Sequence, residues 1–231
     1  MMRRTLTAVL CAFGIGTASA FAASVPVASN NLTTFHTCVL SGVASASNVV
    51  AEATANQGNA STNNGSSTST TVSSASGGNQ RAYVRFDLTK CTPAISSTAT
   101  ISGAVLRPFA NSIPTTCRTE DVFRVTSSWT ESTLTWNNQP FGTTINNPAR
   151  GSATGQMSVG TLCLTNLLGG YVSGWTVTAD VQAFVAGTAT NNGWMIRDDS
   201  EGDLLGGATS YATHEANTAT KAPQLIVDYT T

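Results

Sequence analysis

Five arginines, Arg81, Arg85, Arg107, Arg124 and Arg197, fall in segments where apolar and polar residues alternate. Arg85 stands out of step with Val84 and Phe86, Arg107 with Leu106, Arg124 with Phe123 and Val125, and Arg197 with Ile196. Successive side chains of a pleated strand point to opposite faces, so all five arginines are expected to point out of the core. Planar guanidinium forks match carboxylates and sugar hydroxyls. If their strands share one sheet, these arginines and Tyr83 would line a single face suited to a uronic-acid chain. The plainer alternative is a solvated surface whose arginines pair with Asp87, Asp121 or Asp198, each pair contributing little.

Aromatic rings are the other common sugar contact. Trp194 shares its face with Ile196 and reads as core, Trp129 and Trp136 read as a corner packing a loop onto the sheet, and Trp175 fits either role. Tyr171, beside Gly169 and Gly170, is the ring most expected to be exposed. The acidic run Asp198-Asp199-Ser200-Glu201-Gly202-Asp203 offers oxygen ligands for a hard cation but lacks the EF-hand spacing, so it reads as a solvated turn, with structural calcium the alternative. No cofactor is otherwise expected. His214 and Glu215 near Tyr211 are the nearest approach to an acid–base set, and no GxSxG elbow, phosphate loop or nucleotide fingerprint is present.

The elements that position these residues follow from composition. Only 10% of the 231 residues are charged and 37 are Thr, a polar, uncharged background that leans towards β structure. Met1 to Ala20 has Arg3 and Arg4, an apolar stretch from Leu6 to about Ile15 and a small-residue end, a secretory signal cut after Ala20 or Ala22. Losing it takes the formal charge from −1 to −3, which argues against nucleic-acid binding. No other segment reaches the roughly 20 residues of a spanning helix. The mature protein is therefore expected to be secreted, monomeric and not inserted in a membrane.

Cys38, Cys91, Cys117 and Cys163 remain after the leader, and an even number in an oxidising compartment reads as two disulfides. Strands near 82–88 and 118–125 are expected to run the same way, which puts Cys91 and Cys117 at opposite ends. Cys38–Cys91 with Cys117–Cys163 is the preferred pairing.

RAYVRFDL at 81–88 is the clearest strand, with Ala82, Val84, Phe86 and Leu88 on one face. Further strands are expected at 69–73, 99–108 (Ala104 and Leu106 inward), 121–126 (Phe123 and Val125 inward), 193–197 and 224–229. Residues 178–186 fit one or two helical turns behind a Thr178 cap. Residues 24–47 are either an extra strand tied down by Cys38 or a flexible arm, and residues 48–231 form one all-β sandwich with a short helix and two disulfides.

Four blocks, RAYVRFDL at 81–88, VFRVTSSWTESTLTWNNQP at 122–140, WTVTADVQAFVAGTATNNGWMIR at 175–197 and HEANTATKAPQLIVDYT at 214–230, resemble the secreted DNRLRE domain, also described as carbohydrate-binding module family 96. The resemblance spans about 49 to 230. It implies a jelly-roll-like β-sandwich, an accessory or surface module, and binding of acidic polysaccharide such as alginate, as in some members. The family often has Asp near the start of its first strand, at a position linked to structural calcium, where this chain has Glu52; residues 142–171 are longer than expected, and the four Cys are not part of the family pattern. The expected function is non-catalytic binding of extracellular polysaccharide through Arg81, Tyr83, Arg85, Arg107, Arg124, Arg197 and Tyr171. A surface or matrix module with a protein partner is the alternative, and a small polysaccharide lyase the third.

Overall fold

The computed structural model describes residues 33–42, 49–163, 167, 170–204 and 206–230. The expected leader and residues 24–32 lie outside them. The strands, in chain order, are β1 (Phe35–Ser41), β2 (Val50–Asn56), β3 (Ser69–Ser73), β4 (Gln80–Phe86), β5 (Thr100–Arg107), β6 (Ala110–Ser112), β7 (Arg118–Arg124), β8 (Gly155–Val159) and β9 (Trp175–Thr176). Helix α1 (Thr178–Val185) follows, then β10 (Trp194–Asp198), β11 (Ala208–Ala212) and β12 (Gln224–Thr230). No helix among the described residues is long and apolar enough to cross a membrane.

The strands form two antiparallel sheets packed as a jelly-roll-like sandwich. One has the order β1-β12-β5-β9; the other runs β6-β11-β3-β4-β10-β7-β8, with β2 also paired to β4. Alternation sends Ala82, Val84 and Phe86 of β4, Ala104 and Leu106 of β5, and Leu225 and Val227 of β12 into the shared core with Trp175 and Trp194. Of the 24–47 segment, residues 35–41 form β1, paired along its length with β12. The Cys38–Cys91 disulfide ties that strand to the turn after β4, and Cys117–Cys163 joins the start of β7 to the turn after β8. Strands β4 and β7 both pair antiparallel with β10, so they do run the same way.

Two local readings need correction. Phe123 and Val125 were expected inward, but β10 holds β7 with Met195 opposite Phe123 and Ile196 opposite Val122, so Val122 enters the core between the sheets. Phe123 and Val125 point out of the sandwich, where residues 127–154 cross the second sheet. There they join Ala53, Ala55, Tyr83, Met195, Trp129, Leu134 and Trp136 in a second apolar core. Thr178, expected to cap the helix, makes no such bond; its hydroxyl accepts from the Ala104 amide, while Gln182 accepts from the Ile101 amide. These bonds dock α1 on β5.

Candidate functional site

Arg81, Tyr83, Arg85 and Arg197 do share one face, the outer face of the second sheet. That face is not open. Residues 127–154 cover it, and Arg81, Tyr83 and Arg197 are each 0% exposed. The expectation that these three face solvent is overturned, because alternation fixes the side of a sheet but not what packs against it.

Their charges are met inside. Arg81 makes two bonds of 2.7 and 2.8 Å to Glu201, reaches the Gly142 and Thr144 carbonyls at 3.0 and 2.8 Å, and lies 4.6 Å over the Trp136 ring. The Tyr83 hydroxyl donates to Gln139 at 3.0 Å. Arg197 donates to the Asp198 and Pro148 carbonyls at 2.6 and 2.7 Å, and Asp121 is 4.0 Å away. Burial pulls the Arg197 guanidinium below its ordinary pKa and pushes the Tyr83 phenol up. These residues cement the cover onto the sheet.

The remaining predicted residues are dispersed. Because Phe123 points outward, Arg124 falls on the other side, where it pairs with Asp180 at 3.3 Å. Arg107 lies in the first sheet, with its guanidinium 5.0 Å over the Tyr171 ring. Tyr171, expected to be the exposed ring, is half-buried and donates its hydroxyl to the Ala222 carbonyl at 2.9 Å. The expected single arginine-bearing face is therefore not formed: its members occupy both sheets, and three of the five arginines, Arg81, Arg124 and Arg197, have a carboxylate within 4.0 Å.

All twelve acidic residues lie among the described residues, so the pairing of charges can be followed through. Arg81, Lys90, Arg118, Arg124, Arg150 and Arg197 each have a carboxylate within 4.0 Å. Arg85, Arg107 and Lys221 make no ion pair among the described residues. The acidic run at 198–203, read as a solvated turn or a calcium loop, spends its oxygens on arginine: Asp198 and Asp203 bind Arg118, Asp199 binds Arg150 and Glu201 binds Arg81.

Arg85 opens onto a cleft of about 600 Å³ at the end of the sandwich where β2 begins, β4 ends and α1 completes its last turn. Val49, Leu88, Ile95, Phe184 and Val185 line it, and Arg85, Asp87, Thr89 and Asn191 supply polar groups. Size, apolar walls and a few convergent polar groups are the marks of a ligand site. Arg85 is held from behind, its guanidinium 5.4 Å over Trp129 and donating at 3.3 Å to that residue's carbonyl. Asp87 accepts from the Thr89 amide and hydroxyl at 2.9 and 2.6 Å, and Asn191 donates to the Phe86 carbonyl at 2.8 Å.

A second polar constellation joins residues far apart in the chain. Glu52, Glu131, His214 and Glu215 place donor atoms within 4.8 Å of one another. His214 Nδ1 lies 2.5 Å from Glu52 and Nε2 lies 3.1 Å from Glu215, while Glu131 accepts from the Glu52 amide at 2.7 Å. Burial pushes the Glu52 carboxyl up to about 7, and the bond to Glu52 raises the His214 imidazole above its ordinary range. An imidazole bonded at both nitrogens fills the space between the carboxylates and supplies their counter-charge. This is not the all-oxygen set that calcium takes.

Tyr211, read from the sequence as a neighbour of His214 and Glu215, is engaged elsewhere. The Tyr211 hydroxyl is bonded at 2.6 Å to buried Glu120, and the space beside Glu52 and Tyr211 is about 20 Å³, room for a water but not a sugar. Glu52 and His214 are 162 positions apart, and no local spacing announces their meeting.

The model of a family described as carbohydrate-binding module family 96 matches residues 43–229. Comparison with curated proteins gave no match.

Proposed function

Since the chain belongs to carbohydrate-binding module family 96, we propose that it is a secreted, non-catalytic module that binds an acidic polysaccharide of the uronate type, with Arg85 in the large cleft as its carboxylate contact. One observation carries this reading: Arg85 lines this cleft of about 600 Å³ and, among the described residues, makes no ion pair of its own. A guanidinium half-sheltered from water binds a sugar carboxylate more strongly than a solvated one does. Asp87, Thr89 and Asn191 are placed to exchange hydrogen bonds with hydroxyls, and Phe184, Val185 and Ile95 offer apolar surface to the C–H faces of pyranose rings. Binding on this reading needs no cofactor, and no chemistry is done on the bound chain.

Affinity electrophoresis tests it. The native protein is expected to be retarded by alginate and not by a neutral glucan, and Arg85→Ala to lose most of the retardation, with about tenfold weaker binding for a lost charge-assisted bond pair of 1.4 kcal/mol or more. Retardation should weaken as salt rises. Equal migration of native protein and variant in alginate would overturn the assignment of Arg85, and a glycan array without a hit would favour the reading in which the partner is a protein.

A further inference from the structure

Arg107 ends β5, six residues after Ile101, whose amide is bonded to Gln182 of α1. The cleft holding Arg85 is built on the last turn of that helix. At about 3.3 Å per strand residue, Arg107 lies roughly 20 Å further along the sandwich, towards its other end. Two cations and two aromatic rings meet there. The Arg107 guanidinium is 5.0 Å over Tyr171, the Lys221 ammonium is 5.5 Å over Phe109, and the two rings meet edge to face at 5.2 Å.

The rings are fixed in place. Phe109 and Tyr171 pair through an isolated antiparallel bridge, the Tyr171 hydroxyl is anchored on the Ala222 carbonyl, and the Phe109 ring packs against Gly170 so closely that a Cβ there would lie 2.3 Å from it. Gly170 also has φ +94, a conformation that favours glycine. Among the described residues neither cation has a carboxylate within 4.0 Å, whereas six other Lys and Arg residues of this sparsely charged chain do. Contact with a ring face leaves the outer donors of a guanidinium or ammonium free for an anion.

We propose that Arg107, Lys221, Tyr171 and Phe109 form a second site for a carboxylated sugar, so that the module is bivalent. A pyranose C–H face packs on the ring surface while its carboxylate bridges Arg107 and Lys221. The ligand class rests on the acidic-glycan reading above, but the site itself does not depend on the Arg85 cleft. Two sites roughly 20 Å apart let one module grip a polymer twice or bridge two chains, and the second contact is then intramolecular and strengthens retention without new chemistry.

Titration calorimetry with an alginate tetrasaccharide, on the full mature protein, separates the two claims. The native protein is expected to bind two equivalents, Arg85→Gln one, and the Arg107→Gln/Lys221→Gln variant one. Long-chain alginate should hold the native protein at least tenfold more tightly than either variant. Matching circular dichroism and melting curves confirm that the variants are folded. One equivalent for the native protein, unchanged in Arg107→Gln/Lys221→Gln, overturns the second site and leaves the Arg85 reading standing. Complete loss in Arg107→Gln/Lys221→Gln with Arg85→Gln unaffected supports this site, overturns the cleft and removes bivalency. No binding by the native protein overturns both.

Discussion

His214 and Glu120 show what single buried groups do to the whole stability curve. Glu120 is 1% exposed and burial pushes its carboxyl up to about 7, as it does for Glu52. The His214 imidazole is also raised, chiefly by its bond to Glu52. Each group therefore holds its proton to higher pH folded than unfolded. The folded state binds more protons from about pH 4.5 upwards, so stability falls as pH rises through the raised values and is greatest on the mildly acidic side. We expect the melting temperature to drop by about 3–10 °C between pH 5 and pH 8, corresponding to roughly 1–3 kcal/mol. Glu120→Gln and His214→Gln should each flatten part of that slope. A melting temperature that is level or rises over this interval would contradict the assignment. None of this was legible in the spacing of the residues: His214 and Glu215 stood out as neighbours, but Glu52 and Glu131 are drawn to them only by the packing of β2, the 127–136 segment and the turn before β12.

Among the elements, the segment from 127 to 154 decides most. β10 is buried along its whole length, Trp194 and Ile196 facing one core and Met195 and Arg197 the other, so its sheet is covered on both sides. Sequence alternation correctly put Tyr83 and Arg197 on the face away from Val84 and Ile196. It was silent about the cover, because a segment of short turns has no periodicity to read. The reading of Trp129 and Trp136 as a loop-packing corner came closest: the Trp129 indole donates to the Asn192 carbonyl at 2.8 Å and Trp136 lies against Arg81. Trp136→Ala should cost about 3–5 kcal/mol, since it empties part of the second core and exposes the Arg81–Glu201 pair to water. Scanning calorimetry reads the loss, and limited proteolysis should cut first within 127–154. A cost below about 1 kcal/mol would mean that the cover is held elsewhere.

For the molecule as a whole, one disulfide ties β1 to the turn after β4 and the other ties the start of β7 to the turn after β8. They span 53 and 46 residues, and loop-closure entropy of that size corresponds to about 4 kcal/mol each in the chain-entropy account. The Cys38→Ala/Cys91→Ala variant should melt about 8–16 °C lower, with β1 the first strand to lose amide protection in hydrogen exchange. An unchanged melting temperature would show that β1 holds through its pairing with β12 alone. The amino-acid sequence by itself determined the all-β class, the inward set Ala82, Val84, Phe86, Ala104 and Leu106, and the order of the family's blocks, because a period of two and the preferences of Thr, Val and aromatic residues are local properties. Only the tertiary structure decided which outward arginines meet solvent. Pairing of Arg81 with Glu201, burial of Arg197 and the lack of an ion pair at Arg85, Arg107 and Lys221 among the described residues depend on which distant carboxylates the folded chain brings within a few ångströms, and Coulomb attraction and desolvation act through space rather than along the chain.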